Sequence, residues 1–231
     1  MNKEKHIIIA GGGAAGMIAA VAAAREGCKV SLYEKNEKLG KKLFITGKGR
    51  CNVTNACDME DLFGAVVTNR KFLFSSFYGF TNEDVMELFE EAGLPLKIER
   101  GNRVFPCSDH SSDVIAALER MMRQAGVKVY LRQEIKGLAV RSEEDTDTGA
   151  VRQVCCGICL EGPDGKEKEV PADRVILATG GVSYPSTGST GDGHAWAKML
   201  GHKVTDLLPA LVPFEAAEKE EVKALQGLSL K

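Results

Sequence analysis

The stretch Ile7-Ile8-Ile9-Ala10-Gly11-Gly12-Gly13-Ala14-Ala15-Gly16 decides the fold of this chain. Its apolar half predicts a short strand that is covered on both faces, as in a parallel sheet. Gly11, Gly13 and Gly16 match the pattern G-x-G-x-x-G, which makes a tight turn, lets the backbone approach a pyrophosphate and packs the helix closely on the strand. The helix that follows directs its N-terminal N–H groups at those phosphates. The stretch therefore predicts a dinucleotide-binding βαβ unit.

A second apolar strand is predicted over residues 28–33, and it ends at Glu34. Glu34 lies 18 residues after Gly16, close to the roughly 20 expected for the acid that accepts hydrogen bonds from ribose hydroxyls. A carboxylate at this position would repel the 2′-phosphate of NADP, so we expect FAD or NAD. The alternative is an ordinary βαβ unit with a glycine-rich turn.

Length and charge narrow the class of protein. The 231 residues can bury a good core in one large or two small domains. The net charge of −2 gives no electrostatic reason to expect nucleic acid or an anionic membrane as a partner. Lys3 and Lys5 precede an apolar stretch, but three glycines interrupt it, so we reject a signal peptide. No run reaches the roughly 20 apolar residues of a membrane span.

The cysteines favour a reducing compartment. There are seven, an odd number without the spacing of a disulfide framework, so we expect a cytoplasmic protein. Cys156 and Cys159 have C-x-x-C spacing, but no second Cys or His pair accompanies them. Because they lie in a predicted strand, we expect buried thiols and no metal site.

The rest of the chain predicts an α/β fold with an added meander. Residues 58–125 are mainly helical in pattern, and residues 127–171 are predicted as an antiparallel β-meander whose first strand is Lys128–Leu131. Residues 174–181 are predicted as another buried strand that ends in glycines. These glycines would lie near the nucleotide crevice of such a sheet.

A basic, glycine-punctuated segment follows Glu34. We call its part Gly40-Lys41-Lys42-Leu43-Phe44-Ile45-Thr46-Gly47-Lys48-Gly49-Arg50-Cys51-Asn52-Val53-Thr54-Asn55 the 40–55 loop. A solvated charge run is one interpretation. The apolar residues inside it and the Gly47-x-Gly49 pattern instead favour backbone N–H groups held close to a ligand.

Three segments together closely resemble the bacterial NAD(P)/FAD-dependent oxidoreductases of the BaiN-like (aminoacetone-oxidase-like) family. They are Gly11–Gly16, the 40–55 loop, and Ala178–Gly181 with Thr190–Gly193, and the loop is the most specific of them. The resemblance implies a Rossmann-like, glutathione-reductase-type FAD-binding domain, with a parallel sheet and an antiparallel β-meander, over residues 1–202. It also implies that an inserted β-barrel substrate domain begins at residues 203–231. Since family members are usually longer, we expect a C-terminally truncated member.

The resemblance also assigns cofactor-binding positions in four groups. They are Gly11, Gly13, Ala14, Ala15 and Gly16 for the pyrophosphate; Glu34, Lys35, Lys42 and Ile135 for the adenosine; Arg50, Cys51 and Asn52 for the flavin or its linker; and Thr179, Gly180, Gly191 and Asp192 for the wall of the cleft.

We therefore expect a flavoenzyme that passes hydride between NAD(P)H, or another redox partner, and an organic small molecule. The resemblance implies reduction of enones or ketones in steroid-like acids, or oxidation of a small amine. Two alternatives stay open: a non-catalytic dinucleotide-binding module, and a plain NAD-dependent dehydrogenase. No catalytic residue follows from the motifs, but His110, His194 and Tyr184 are candidates for acid–base roles.

Overall fold

The computed structural model describes residues 4–144, 149–162, 165–209 and 215–228. Ten strands lie in these ranges: β1 His6–Ala10, β2 Lys29–Glu34, β3 Thr54–Asn55, β4 Leu96–Glu99, β5 Arg103–Pro106, β6 Lys128–Leu131, β7 Ile135–Glu144, β8 Val151–Glu161, β9 Glu167–Pro171 and β10 Arg174–Leu177. Eight α-helices accompany them there: α1 Ala14–Arg25, α2 Lys41–Ile45, α3 Met59–Gly64, α4 Phe74–Gly79, α5 Asn82–Glu91, α6 Ser111–Gln124, α7 Asp192–Met199 and α8 Lys219–Ala224.

A four-stranded parallel sheet forms the centre, in the order β10-β1-β2-β6. Ile8, Ile9 and Ala10 of β1 have no exposed surface, as expected for a strand between two neighbours with both faces covered. The predicted strand after residue 173 is confirmed as a strand, because β10 pairs in parallel with β1. Its predicted burial is wrong, because β10 is an edge strand in which Ile176 and Leu177 are 37% and 38% exposed. The two glycine-ended strands thus lie side by side, with their carboxyl ends at the same edge.

Lys128–Leu131 was expected to begin the meander, and this boundary is wrong. The strand β6 instead extends the central sheet, with Tyr130 opposite Tyr33 of β2 and their rings stacked at 4.7 Å. The meander in the described residues consists of β7, β8 and β9. Residues 145–148 and 163–164, which belong to the predicted 127–171 meander, lie outside the described ranges.

Helices and the meander cover opposite faces of the central sheet. On one face, α1 and α6 pack in a core that includes Met17, Leu118 and Met122. On the other face, Ile8 and Tyr33 contact Leu138, Ile158 and Leu160 of the meander. Gly101-Asn102 between two short apolar runs favours a hairpin, and β4 and β5 form one, joined by residues 100–102, in which Gly101 and Asn102 both have positive φ.

The last part of the chain has little regular structure where it is described. The segment after α7 contains one short helix, α8, and most of its residues are exposed. Residues 210–214 and 229–231 lie outside the described ranges. The domain that was expected to begin at residue 203 therefore stays a prediction. No helix in the described ranges is long and apolar enough to span a membrane.

Candidate functional site

A cleft of about 920 Å³ opens at the carboxyl edge of the central sheet. The ends of β1, β2 and β10 meet there, which is where open α/β sheets bind their ligands. Its volume lies toward the upper end of the range for ligand sites, roughly 300–1,000 Å³. Of the predicted positions, those lining the cleft are Gly11, Gly13, Ala14, Ala15, Glu34, Lys35, Lys42, Cys51, Asn52, Ile135, Thr179, Gly180 and Asp192.

The glycine turn between β1 and α1 has the steric form that its motif requires. Gly11 has a φ of +110°, and a Cβ on Gly16 would lie only 1.9 Å from the carbonyl oxygen of Gly11. Gly16 therefore lies behind the cleft rather than in its lining. A Cβ on Gly13, by contrast, would meet no atom within 4 Å. Among the described residues no side chain caps α1, so its first N–H groups face the open space beside Gly13.

Glu34 is held rigidly at the end of β2, with only 9% of its surface exposed. Its Oε2 accepts a hydrogen bond from the Gly12 amide at 2.7 Å. Its Oε1 accepts from the backbone and side-chain nitrogens of Asn36, at 2.8 and 2.6 Å. Two carboxylate oxygens have about four acceptor sites, so the group retains capacity for a ligand hydroxyl.

Lysine side chains connect the start of the basic segment to the turn before α7. The Nζ of Lys35 donates to Thr190 Oγ1 at 2.7 Å and to Asp192 Oδ2 at 3.0 Å. The Nζ of Lys42 donates to Ser189 Oγ at 2.7 Å. Burial opposes ionisation of Asp192, but the bonds from Lys35 and Thr190 outweigh it, so the pKa of Asp192 lies below its usual value. Cationic and anionic groups thus face each other across this side of the cleft.

Thr179 and the turn around Gly191 are also joined. The hydroxyl of Thr179 accepts a hydrogen bond from the Gly193 amide at 3.1 Å. Gly191 precedes α7 with a φ of +87° and is not itself part of the cleft lining. It acts on the cleft through backbone shape, by turning the chain so that Asp192 and His194 line it.

Arg50 does not lie where the resemblance implied. Its guanidinium is outside the cleft lining, where it donates to Asp109 and Glu99 and stacks over the Phe105 ring. The neighbouring Cys51 and Asn52 do line the cleft. Because burial raises the pKa of the Cys51 thiol, this cysteine stays protonated at neutral pH. It is a small, buried residue that lines the cleft.

His194 is the histidine that reaches the cleft. Its Nδ1 is buried and has no hydrogen-bond partner among the described residues. This atom in the cleft wall is therefore free to bond with a bound group. The other two candidates lie elsewhere, since His110 is exposed and Tyr184 is 67% exposed and outside the lining.

The cleft also has an apolar lobe that sequence reasoning did not assign. It lies beneath α5 and α6 and is lined by Phe80, Val85, Leu88, Phe89, Val114 and Leu118. The helical apolar stripe of α5 was visible in the sequence, but such a stripe more often marks core than ligand contact. Asn36 and Ser189 were missed as well, because short polar residues in loops carry no distinguishing spacing.

Possible metal ligands are not clustered in the part of the chain that the structure describes. In the ranges that the structure describes, no group of three or more His, Cys, Asp or Glu side chains is placed to hold an ion. Cys159 is buried in β8, and burial raises the pKa of its thiol to about 11.

The sequence matches the protein family described as "HI0933-like protein Rossmann domain" over residues 5–230. The chain belongs to this family. The match confirms the resemblance carried by the three glycine-rich segments. One relative of this chain is a 3-dehydro-bile acid delta(4,6)-reductase of Clostridium scindens. It is 35% identical over 222 residues, which cover 95% of this chain and 49% of the relative.

A second relative is the ribosomal RNA dihydrouridine synthase of Haemophilus influenzae. It is 29% identical over 231 residues, which cover all of this chain and 54% of the relative. The HI0933-like chain thus spans about half the length of the curated relatives it matches. The net charge of −2 predicts no nucleic-acid partner, whereas the name of this relative includes RNA.

Solved structures confirm the predicted fold class. The 3-ketosteroid delta1-dehydrogenase of Sterolibacterium denitrificans superimposes with a TM-score of 0.61 and 15% identity, covering 84% of the HI0933-like chain and 54% of the dehydrogenase. A flavocytochrome c3 fumarate reductase gives a TM-score of 0.58 and 21% identity, with coverages of 86% and 41%. At these identities the likeness concerns the fold.

Proposed function

We propose that this chain is the FAD-binding part of an oxidoreductase that reduces carbon–carbon double bonds. The observation that carries the proposal is the single cleft in which the open turn at Gly13, the buried carboxylate of Glu34 and the lining residues of the 40–55 loop converge. A plain NAD-dependent dehydrogenase would use the first two features and leave the third without a role.

The residues present fit FAD on three observations. The space beside Gly13 admits a phosphate close to the backbone, and the uncapped start of α1 provides N–H donors and a positive dipole end. Glu34 can accept from a ribose hydroxyl at the end of β2. The buried Nδ1 of His194 needs a partner, which a bound cofactor would supply.

The remaining positions follow from their places around the cleft. Lys35 and Lys42 would flank the adenosine and pyrophosphate, exchanging their bonds to Asp192 and Ser189 for bonds to the ligand. Ile135 would contact the adenine, since it lines the cleft and begins β7 two residues after Gln133, whose amide donates to the carbonyl of Glu34. Cys51, Asn52, Thr179 and Gly180 would lie along the rest of the cofactor, and Asp192 would complete the wall. FAD supplies the two-electron chemistry when bound, and these residues bind it, orient it and exclude water.

The names of the relatives support one reaction class. A delta(4,6)-reductase and a dihydrouridine synthase both add two hydrogens across a carbon–carbon double bond. We take NAD(P)H as the electron donor, bound transiently outside the one dinucleotide fold that the sequence encodes. The apolar lobe and the net charge of −2 favour a small apolar substrate over RNA. Residues 1–202 would form the cofactor domain, with a substrate domain starting near residue 203.

The cofactor is tested on the purified protein. We expect a yellow preparation whose released ligand is identified as FAD by chromatography, and whose absorption bleaches when NADH or NADPH is added without oxygen. A colourless protein that binds NAD with high affinity would instead support the plain dehydrogenase. FAD that is bound and reduced by dithionite, but by neither NADH nor NADPH, would support the non-catalytic module.

The substrate class is tested by competition between two candidates. A 3-oxo steroid acid with conjugated double bonds and a uridine-containing ribosomal RNA transcript are offered to the reduced protein separately. Reoxidation of the flavin by the steroid alone supports the small-molecule assignment. Reoxidation by the RNA alone would contradict it.

A further inference from the structure

The 40–55 loop holds an unusual backbone where it meets the cleft. Gly47, Lys48, Gly49 and Cys51 all have positive φ, between 56° and 83°. Lys48 and Cys51 carry side chains, so this conformation is strained there and persists only where the surroundings enforce it. Contacts around the loop must therefore hold this conformation.

The Arg50 side chain provides such contacts. Its Nε donates to Asp109 Oδ1 at 2.7 Å, and a second guanidinium nitrogen bonds Glu99. The guanidinium also lies 4.1 Å above the centroid of the Phe105 ring. Lys97 donates to the other oxygen of Asp109 at 2.6 Å, which holds that carboxylate in place. Three residues from β4, β5 and the segment before α6 thus contact one guanidinium, and Lys97 holds one of them in place.

The backbone on either side of Arg50 is anchored too. The Cys51 amide donates to the carbonyl of Thr46 at 3.1 Å, and the Val53 amide donates to Val104 at 2.8 Å. Arg50 therefore lies between a closed turn and the edge of the small sheet β3-β5-β4. Because Cys51 has a left-handed backbone, Arg50 points away from the cleft while Cys51 and Asn52 line it.

We propose that Arg50 is a positioning residue: it clamps the 40–55 loop to the β4–β5 hairpin so that Cys51 and Asn52 are held against the cofactor. This inference rests on the proposed function, because it concerns the same cleft. It differs from the role that the resemblance implied, since the guanidinium touches Asp109, Glu99 and Phe105 rather than the ligand. Arginine suits the task because its planar fork can bond two carboxylates while stacking on a ring.

The alternative is an ordinary surface ion cluster. The side chains of Arg50, Glu99 and Asp109 are 33%, 29% and 42% exposed, and exposed pairs contribute little to global stability. The two readings therefore differ in what they predict for variants. A clamp changes cofactor binding and loop order while global stability stays nearly constant, whereas an incidental cluster changes none of them.

The chain offers a matched control in Arg103. Its guanidinium also lies over the Phe105 ring, at 5.7 Å, and it donates to the Arg100 carbonyl at 3.1 Å. Its side chain lies outside the cleft lining, and its backbone pairs with Asn55 at the end of the 40–55 loop, a pairing that the substitution leaves in place. Arg103→Met therefore removes the same charge from the same ring without touching the clamp.

The test measures three quantities on the purified full chain: FAD affinity by flavin fluorescence, the flavin absorption spectrum, and the rate at which a lysine-specific protease cuts after Lys48. Loss of a residue that orients metal ligands costs about 10- to 100-fold in affinity. By the same logic we expect Arg50→Met to weaken FAD binding about tenfold or more, to alter the flavin absorption band and to accelerate the cut. Arg103→Met should leave all three quantities unchanged. Arg50→Lys should show the same losses as Arg50→Met, because lysine keeps the charge but cannot bond both carboxylates.

Arg50→Met with unchanged affinity, spectrum and cleavage would overturn this inference alone. If the unsubstituted chain binds no flavin, the proposed function fails, and this inference fails with it. Should Arg50→Met not fold, the double variant Glu99→Ala with Asp109→Ala removes both acceptors of the guanidinium and leaves Arg50 itself in place. That variant must then reproduce the loss of affinity, and full retention of affinity would refute the clamp.

Discussion

Replacing Gly13 by alanine separates cofactor binding from folding in this protein. The residue precedes α1 with φ −80° and ψ −176°, a conformation that alanine adopts freely. A Cβ there meets no protein atom within 4 Å. Alanine is a poorer N-cap than glycine by up to about 1 kcal/mol, while the stiffer unfolded chain returns about 0.4–1 kcal/mol. We therefore expect the free energy of unfolding to change by less than about 1 kcal/mol.

The same methyl group would occupy the space proposed for the pyrophosphate. Losing one hydrogen bond to a charged group costs about 1.5–3 kcal/mol, or roughly 10- to 150-fold in affinity. Gly13→Ala should therefore weaken FAD binding by at least about tenfold. Fluorescence titration with FAD and urea unfolding of the same preparation measure both quantities.

Gly16→Ala is the matched control, because it places the same methyl group against protein. Its Cβ would lie 1.9 Å from the Gly11 carbonyl oxygen, so the strand and helix must separate. We expect a loss of about 1–3 kcal/mol in stability or more, from overpacking. The reasoning is refuted if Gly13→Ala binds FAD as tightly as the unsubstituted chain, or if it unfolds as easily as Gly16→Ala.

Three further predictions test other parts of the molecule. Glu34→Gln should weaken FAD binding by about 1–3 kcal/mol, because an amide nitrogen then faces buried donors. Isothermal titration measures the affinity for FAD, and an unchanged affinity would contradict the ribose assignment. Bonds from Arg50 and Lys97 hold the pKa values of Glu99 and Asp109 below their usual range. Since the folded pKa values are depressed, the clamp is complete above the unfolded values and is lost as the pH falls through the folded ones. Protease cleavage of the 40–55 loop should therefore accelerate only on acidification, and a rate independent of pH would contradict this sign. Thr81→Ala should cost about 0.5–2 kcal/mol in thermal or urea unfolding, because it removes the capping box of α5; an unchanged midpoint would show that the cap contributes nothing.

Local patterns were sufficient for the elements that carry a glycine signal or a clear period. The β1 turn, the strand β10 and the hairpin at Gly101-Asn102 all follow from residues close in sequence. Lys128–Leu131 was misassigned because its partner, β2, lies far away in the chain. A short apolar strand followed closely by another resembles a meander, and only packing on the sheet decides between them.

The site residues, too, could be predicted where local sequence fixes their position and not where distant contacts do. Positions fixed by the backbone turn, such as Gly13 and Glu34, could be predicted, since the motif encodes their geometry. The direction of Arg50 could not, because the left-handed backbone at Cys51 sends adjacent side chains to opposite sides. The bond between Lys35 and Asp192 joins residues separated by 157 positions, and no local spacing reports it.

The order of strands in the central sheet has a consequence for biosynthesis. The first strand completes its pairing only with β10, and the amide of His6 bonds Asp173, 167 residues later. At about 5–20 residues per second, the ribosome needs roughly ten to thirty seconds to supply that partner. During this time the apolar β1 has an unpaired edge. The nascent chain is therefore exposed to aggregation at this edge until residue 177 has been made.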